Sequence, residues 1–301
     1  MTLASASEPY RAANRLSGSN LYQWHLLSRE GDCVASSSGL SLQTTPMESA
    51  PKLDQLFIVA SMQLDKLRDP KVYRFLQRLA LKGTPLGALS NGTFLLARAG
   101  LLTGYKCTLH WEQLRQFAEE FPLIPVSREL YVRDRDRLTC AGGTAAMDLM
   151  LDQIALDHGG QLAASVAEQF LHSRIREPQE QQRMAIQRRY GVNDARIAKA
   201  IMLMEQNLEQ VMSVEDIAAH CNISLRQLER LWLKHFAVPP QRFYVGIRLN
   251  EAKRLLKEST ESIASISLRC GFVSASHLSS AYRKACGHSP GDERRKSDRK
   301  R

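Results

Sequence analysis

Two sets of residues have the types and spacing to do chemistry. The first lies on two short helical stretches near the C-terminal end. On a wheel of about 100° per residue, Arg226, Gln227, Arg230 and Lys234 share one arc, while Leu228, Leu231, Trp232 and Phe236 share the opposite one. About fifty residues later, Ser276, His277, Ser280 and Lys284 take the outward arc, and Leu278 and Tyr282 the inward one. Arginine grips guanine through two hydrogen bonds, glutamine does the same with adenine, and serine or lysine holds phosphate. Ser224 and Ser274, which head the two stretches, join this set as residues expected to touch DNA. His277 reads equally well as a surface or cap histidine. The second set is Ser90, Asn91, His110 and Trp111. Ser90 sits at a sharp strand-to-helix turn, where a nucleophile would be exposed beside helix N–H donors and His110 could act as its base. However, Leu89-Ser90-Asn91-Gly92 is not G-x-S-x-G, and Ser-Asn-Gly is also ordinary turn chemistry. Catalysis is therefore not expected.

The first set is positioned by a repeat. Cys221, Asn222 and Ile223 match Cys270, Gly271 and Phe272 at an offset of 49. After one inserted residue, Val273, Ser224, Leu228, Trp232 and Pro240 match Ser274, Leu278, Tyr282 and Pro290 at an offset of 50. Each copy reads as helix, tight turn, helix. Ser213 caps the first helix, and Ser224 with Gln227 forms a capping box on the second. Asn222 and Gly271 stand where the turn needs a left-handed residue. Pro240 to Lys257, with an apolar stripe of Ile247, Ala252, Leu255 and Leu256, reads as a connecting helix that sets the spacing of the two copies.

The second set is positioned by an alternation of strand and helix, which argues for an open α/β sheet. Leu53 to Ala60 and Pro85 to Leu89 read as buried parallel strands, and Pro70 to Leu81 and Thr93 to Ala99 as helices. Leu130 to Val132 and Leu138 to Cys140 form a predicted hairpin. Ala141-Gly-Gly143 leads into a helix predicted through about His158, continuing through Gln161 to His172. Thr2 to Asn14 also reads as helix, with Leu3, Ala6 and Tyr10 facing inward.

Charge separates the halves. Residues 1–172 hold 17 Lys+Arg and 17 Asp+Glu, so the whole excess of +10 lies in residues 173–301, with 24 against 14. Such asymmetry points to a polyanion. No apolar run reaches the length of a membrane span and no secretion signal opens the chain, so a cytoplasmic protein is expected. The six cysteines form no C-x-x-C pair, which predicts reduced, mostly buried thiols and no metal site.

These residues carry a resemblance. Ser224-Leu-Arg-Gln-Leu-Glu-Arg230, Arg248-Leu-Asn-Glu-Ala-Lys-Arg-Leu-Leu256 and Cys270-Gly-Phe-Val-Ser-Ala-Ser-His-Leu278 resemble the AraC/XylS DNA-binding domain. That family has an aromatic or apolar residue shortly after Ser289-Pro290. Gly291-Asp-Glu-Arg-Arg295 stands here instead, which predicts a poorly packed last helix. Ala97-Arg-Ala-Gly-Leu-Leu102, Thr108-Leu-His-Trp111 and Thr139-Cys-Ala-Gly-Gly-Thr144 resemble the sensor half of GlxA-type regulators, a PfpI-like branch of the class I glutamine amidotransferase fold. Enzymes of that fold carry a nucleophilic cysteine where Ser90 stands, and Ala60-Ser61 replaces an expected glycine pair. Both departures imply a ligand pocket rather than a hydrolase. Such domains also open with an apolar strand, whereas this chain reaches Glu8-Pro-Tyr-Arg-Ala-Ala-Asn14 almost at once. The first strand is expected to be missing, with a coding frame extending roughly 15–25 residues upstream to supply a strand of ordinary length.

The expected organisation is a flavodoxin-like α/β sensing domain over 1–172, a linker over 173–195 and an all-α double helix-turn-helix domain over 196–298. The expected function is a ligand-responsive transcription regulator, most simply an activator, and not an enzyme. The resemblance implies control of genes for small nitrogenous metabolites, amino acids or quaternary amines. The expected partners are double-stranded DNA read in two adjacent major grooves, a small-molecule effector, RNA polymerase and a second copy of the chain, with no cofactor and no membrane. The alternative is a PfpI-like amidase or protease fused to a DNA-binding domain.

Overall fold

The computed structural model describes residues 1–60 and 68–298, in two units, Met1–Arg183 and Met184–Arg301. Ser61, part of the expected glycine-pair replacement, and the end of the basic tail lie outside the described residues.

The first unit opens with α1 (Thr2–Ser17), ended by Gly18 in the left-handed region. Then come β1 (Leu27–Ser28), β2 (Cys33–Ala35), β3 (Ser41–Gln43) and β4 (Thr45–Pro46), which pair as β1–β4 and β2–β3. The main elements follow as β5 (Leu56–Ala60), α2 (Pro70–Leu81), β6 (Leu86–Ser90) and α3 (Thr93–Arg98), then β7 (Cys107–Thr108), α4 (Leu114–Glu120) and β8 (Val126–Ser127). Last are β9 (Tyr131–Asp134), β10 (Arg137–Cys140), α5 (Ala145–His158) and α6 (Gly160–Gln169). The main sheet runs β5-β6-β10-β9, the first three strands parallel and β9 antiparallel to β10.

Side-chain alternation decides which helices cover which face. Leu56, Ile58, Leu86 and Ala88 point into a core with Phe75 and Leu76 of α2, Phe94 and Leu96 of α3, and Phe117 of α4. Phe57, Leu89, Leu138 and Cys140 point the other way, toward Ala6 of α1 and Ala145, Ala146 and Leu149 of α5. Gly87 keeps that second face open, since a Cβ there would lie 2.1 Å from the Phe57 ring. The inner face of α1 differs from the predicted one. Ala6 is buried, but Leu3 and Tyr10 are only half-buried, and Ala12 and Ala13 make the deeper contact with α5 and α6. The predicted helix from Gln161 to His172 starts afresh after Gly159, at φ 93°, and stops at Gln169.

The segment 173–195 is divided between the units. Its first part lies on the first unit. Asp148 on α5, fully buried, accepts hydrogen bonds from the Arg176 backbone N–H at 2.9 Å and from the Arg176 guanidinium at 2.6 and 2.9 Å. His172 Nε2 lies 2.8 Å from the other side of the same carboxylate group. A buried charge is tolerable only when paired and hydrogen-bonded, and this one is. The second part forms α7 (Ile186–Tyr190), which packs with Val192 on the second unit.

The second unit continues as α8 (Ala195–Gln206), α9 (Val214–His220), α10 (Leu225–Phe236), α11 (Pro240–Glu258), α12 (Ile263–Arg269), α13 (Ala275–Cys286) and α14 (Pro290–Asp298). It has two cores, one per repeat copy. Ile197, Ile201, Ile217, Leu228, Trp232 and Tyr244 build the first. Leu249, Leu256, Ile266, Phe272, Leu278 and Tyr282 build the second. The repeat holds in three dimensions, because Leu228 and Leu278, and Trp232 and Tyr282, are all fully buried. The expectation of a poorly packed last helix is overturned. Glu293 of α14 is buried and accepts from Tyr282 Oη at 3.1 Å, with His288 Nε2 at 2.5 Å and Lys257 Nζ at 3.2 Å. Burial pushes the Glu293 carboxyl up, but these three partners outweigh it and hold it at about 2.

Candidate DNA interface and elbow site

Each recognition helix begins at a serine cap. Ser224 Oγ accepts from the Gln227 N–H at 3.3 Å, and Gln227 Oε1 accepts from the Ser224 N–H at 3.0 Å. The predicted capping box is therefore formed, and it leaves the Gln227 amide nitrogen as that side chain's donor. Ser274 Oγ accepts from the His277 N–H at 3.1 Å. The turns before the caps are left-handed at Asn222 (φ 57°) and Gly271 (φ 70°).

All ten residues predicted to touch DNA are exposed, eight on the sides of α10 and α13 that face away from the cores and Ser224 and Ser274 at their N-caps. Arg226, Gln227, Arg230 and Lys234 form one outer face; Ser276, His277, Ser280 and Lys284 form the other. The His277 ring packs edge-on against Phe272, centroids 5.3 Å apart, yet the residue remains exposed. Along α13 the open outer surface is lined by Ala275, Ser276, Ser279, Ser280, Arg283 and Lys284. Sequence reasoning missed Arg283. It stands seven residues after Ser276, two helical turns on, so the same wheel contained it.

A joint ties the two copies together. Arg248 of α11 is buried and donates to Cys270 O at 2.7 Å and to Gly271 O at 2.5 Å, with its Cζ 4.3 Å from the Phe272 ring centre. Burial lowers the Arg248 pKa from its ordinary value. Tyr244 Oη donates to Asn207 O. A Cβ on Gly271 would lie 2.3 Å from Val211 Cγ2 and 2.4 Å from Leu208 O. The turn of the second copy is thus seated on the α8–α9 loop of the first.

In the first unit, β6 ends at Ser90, whose φ of 58° is a strained value for a residue with a side chain. Ser90 and Asn91 are nearly buried, 6% and 4% exposed. Gly142 packs directly on the elbow, since a Cβ there would lie 2.7 Å from Ser90 Cβ. Thr93 Oγ1 donates to Thr108 O at 2.9 Å, which ties the elbow helix to the strand leading to His110. His110 and Trp111 lie at the start of the next turn, half-buried and 36% exposed. His110 Nδ1 faces Glu112 Oε2 at 3.6 Å. The four predicted residues therefore form two linked pairs, Ser90 with Asn91 at the buried elbow and His110 with Trp111 nearer the surface. Over Trp111 lies Arg183, which sequence reasoning did not single out, its Cζ 4.3 Å from the ring centre. Among the described residues, no cluster of His, Cys, Asp and Glu has the arrangement of a metal site, and no helix is long and apolar enough to cross a membrane.

Family models match each half separately, and whole-chain relatives match both together. Residues 217–296 match the model of a helix-turn-helix domain, and residues 5–156 match the DJ-1/PfpI family. The HTH-type transcriptional regulator GbdR of Pseudomonas aeruginosa is 42% identical over 98% of this chain and 80% of its own length. The HTH-type transcriptional regulator GlxA of Rhizobium meliloti is 36% identical over 99% of this chain and 92% of its own. Among solved structures, an AraC family transcriptional regulator from Pseudomonas putida is 32% identical, with a TM-score of 0.51, covering 56% of this chain and 91% of that one.

Proposed function

This chain belongs to the AraC-type helix-turn-helix transcriptional regulators that carry a DJ-1/PfpI domain, and from that premise we propose that it is an effector-responsive activator, not an enzyme. The observation that carries the reading is the pair of exposed polar faces on α10 and α13, each backed by its own core and both in the half that holds the whole charge excess. The two helices enter successive major grooves on one side of the duplex, about 34 Å apart. The regulator names of its relatives support the non-enzyme reading. RNA polymerase and a second copy of the chain complete the proposed set of partners.

Substitutions on α10 separate base reading from phosphate holding. Arg226→Ala or Arg230→Ala should weaken binding by roughly 1–3 kcal/mol and relax preference at one base pair. Lys234→Ala should weaken all sequences alike and lower the salt slope by about one. Titrations of each variant against a panel of single-base operator variants, at several salt concentrations, check this. Uniform weakening by both arginine variants would show that neither reads a base.

The first unit supplies the effector site at the elbow. Ser90, Asn91, His110 and Trp111 are the proposed lining, with Trp111 offering a π face to a cationic amine. Genes for small nitrogenous metabolites, amino acids or quaternary amines, fit such a site. The strained Ser90 is what favours the second reading, an amidase. Ser90→Ala decides between them. The regulator reading expects an altered inducer response, unchanged DNA binding without inducer, and no amide hydrolysis in the parent chain. Hydrolysis by the parent that disappears in Ser90→Ala would establish the enzyme.

A further inference from the structure

The last residues of the first unit form a strap that ends on the Trp111 ring. It is fastened at four residues before it gets there, Arg176, Pro178, Gln181 and Gln182. Arg176 binds the buried Asp148, and its Nη2 also donates to Thr144 Oγ1 at 2.9 Å. Pro178 O accepts from the Leu130 N–H at 2.8 Å, and Gln181 bridges Glu129 in antiparallel fashion. The Gln182 side-chain amide donates to Thr108 Oγ1 at 3.1 Å, Leu109 O at 3.0 Å and Glu129 O at 2.8 Å. Those three acceptors lie on and beside the strand that leads to His110 and Trp111. The next residue, Arg183, places its guanidinium over the Trp111 ring. Met184 then opens the second unit.

We infer that Arg183 is a built-in occupant of the face of Trp111, and that a cationic effector acts by displacing it. The inference rests on the proposed reading of the elbow as a site for a cationic amine, and it assigns the regulation of that site. A guanidinium over an indole and a quaternary ammonium over an indole use the same attraction, a cation held by the negative face of the ring. Only one fits on the exposed face at a time. The displaced residue is the last one before the DNA-binding unit, so the exchange changes the very point where the chain passes from sensor to reader. The fastenings upstream, at Gln182 and Arg176, confine the change to Arg183 and the residues after it.

The test uses the full chain and tetramethylammonium chloride as probe, with sodium chloride at equal ionic strength as control. Tryptophan fluorescence reports binding, and trypsin reports the state of the Arg183–Met184 bond. In the parent chain, saturating probe should raise the rate of cleavage after Arg183 several-fold while leaving cleavage at exposed arginines elsewhere unchanged. Arg183→Ala should bind the probe roughly 2–5-fold more tightly, the factor that a surface cation–π contact is worth. Trp111→Leu should cleave after Arg183 at the fast rate with or without probe. Two results overturn the proposal and differ in what else they remove. Probe binding to parent and Arg183→Ala with equal affinity, with the parent's cleavage rate after Arg183 unchanged by probe, removes the exchange but leaves a cationic site. No binding to either protein removes the cationic reading of the elbow as well.

Discussion

Asp148→Ala is expected to lower the stability of the first unit by about 3 kcal/mol, the scale for breaking a buried ion pair by removing one partner. The carboxylate is fully buried and satisfies the Arg176 guanidinium, the Arg176 backbone N–H and His172. Removing it leaves the Arg176 backbone N–H without its acceptor and the guanidinium, 29% exposed, with Thr144 Oγ1 in place of the carboxylate. The half of the strap between His172 and Arg176 should then detach, and its arginines should become early trypsin sites. Urea denaturation followed by circular dichroism measures the first effect, and timed digestion the second. A loss below about 0.5 kcal/mol would mean that water replaces the carboxylate at no cost, and that the strap is held elsewhere.

The second large effect concerns the joint between the repeat copies. Asn222 and Gly271 hold equivalent left-handed positions, yet they should respond oppositely to exchange. Asn222→Gly should change stability by only a few tenths of a kcal/mol, because the residue is exposed at a turn that glycine also suits. Gly271→Asn should cost about 2–4 kcal/mol. The left-handed backbone is tolerable for asparagine, but its Cβ meets Val211 Cγ2 at 2.3 Å and the Leu208 carbonyl at 2.4 Å. The seat of the second copy on the first would be forced apart. Affinity for a two-site operator should then fall toward that for a single site, even where the protein remains folded. Paired melting curves and DNA titrations of the two exchanges check the asymmetry, and equal tolerance of both would show that the joint is loose.

The local features of this molecule were legible in its residues. The range Pro70–Leu81 is helical as predicted, because proline opens it and apolar spacing runs to its end. The capping box at Ser224 and the left-handed turns at Asn222 and Gly271 follow from residue type alone. The elbow, the hairpin and the connecting helix also stand where expected. What was hidden lies in contacts between distant positions. Nothing near Trp111 announces Arg183, and nothing near Asp148 announces Arg176. β7 and β8 have two residues each, too few to show a period. The last helix looked unanchored because its anchor, Glu293, is a charged residue whose partners Tyr282, His288 and Lys257 come from three other places in the chain. The turn glycine and its asparagine counterpart look interchangeable until the α8–α9 loop is seen pressed against only one of them.

The most direct measurement of the central claim is the dependence of binding on helical phase. The chain would first select its operator from random duplex DNA, and footprinting would locate the protected bases. Two short protected sites should appear on one side of the duplex, about one helical turn apart. Inserting about five base pairs between them turns one site to the opposite side, and specific affinity should fall by at least about 100-fold, well within the usual gap between specific and non-specific binding. Inserting about ten should restore part of it only if the joint can stretch, which the seat of Gly271 argues against. Undiminished affinity after the five-base-pair insertion would contradict the account, because one monomer would then not be reading two grooves with α10 and α13.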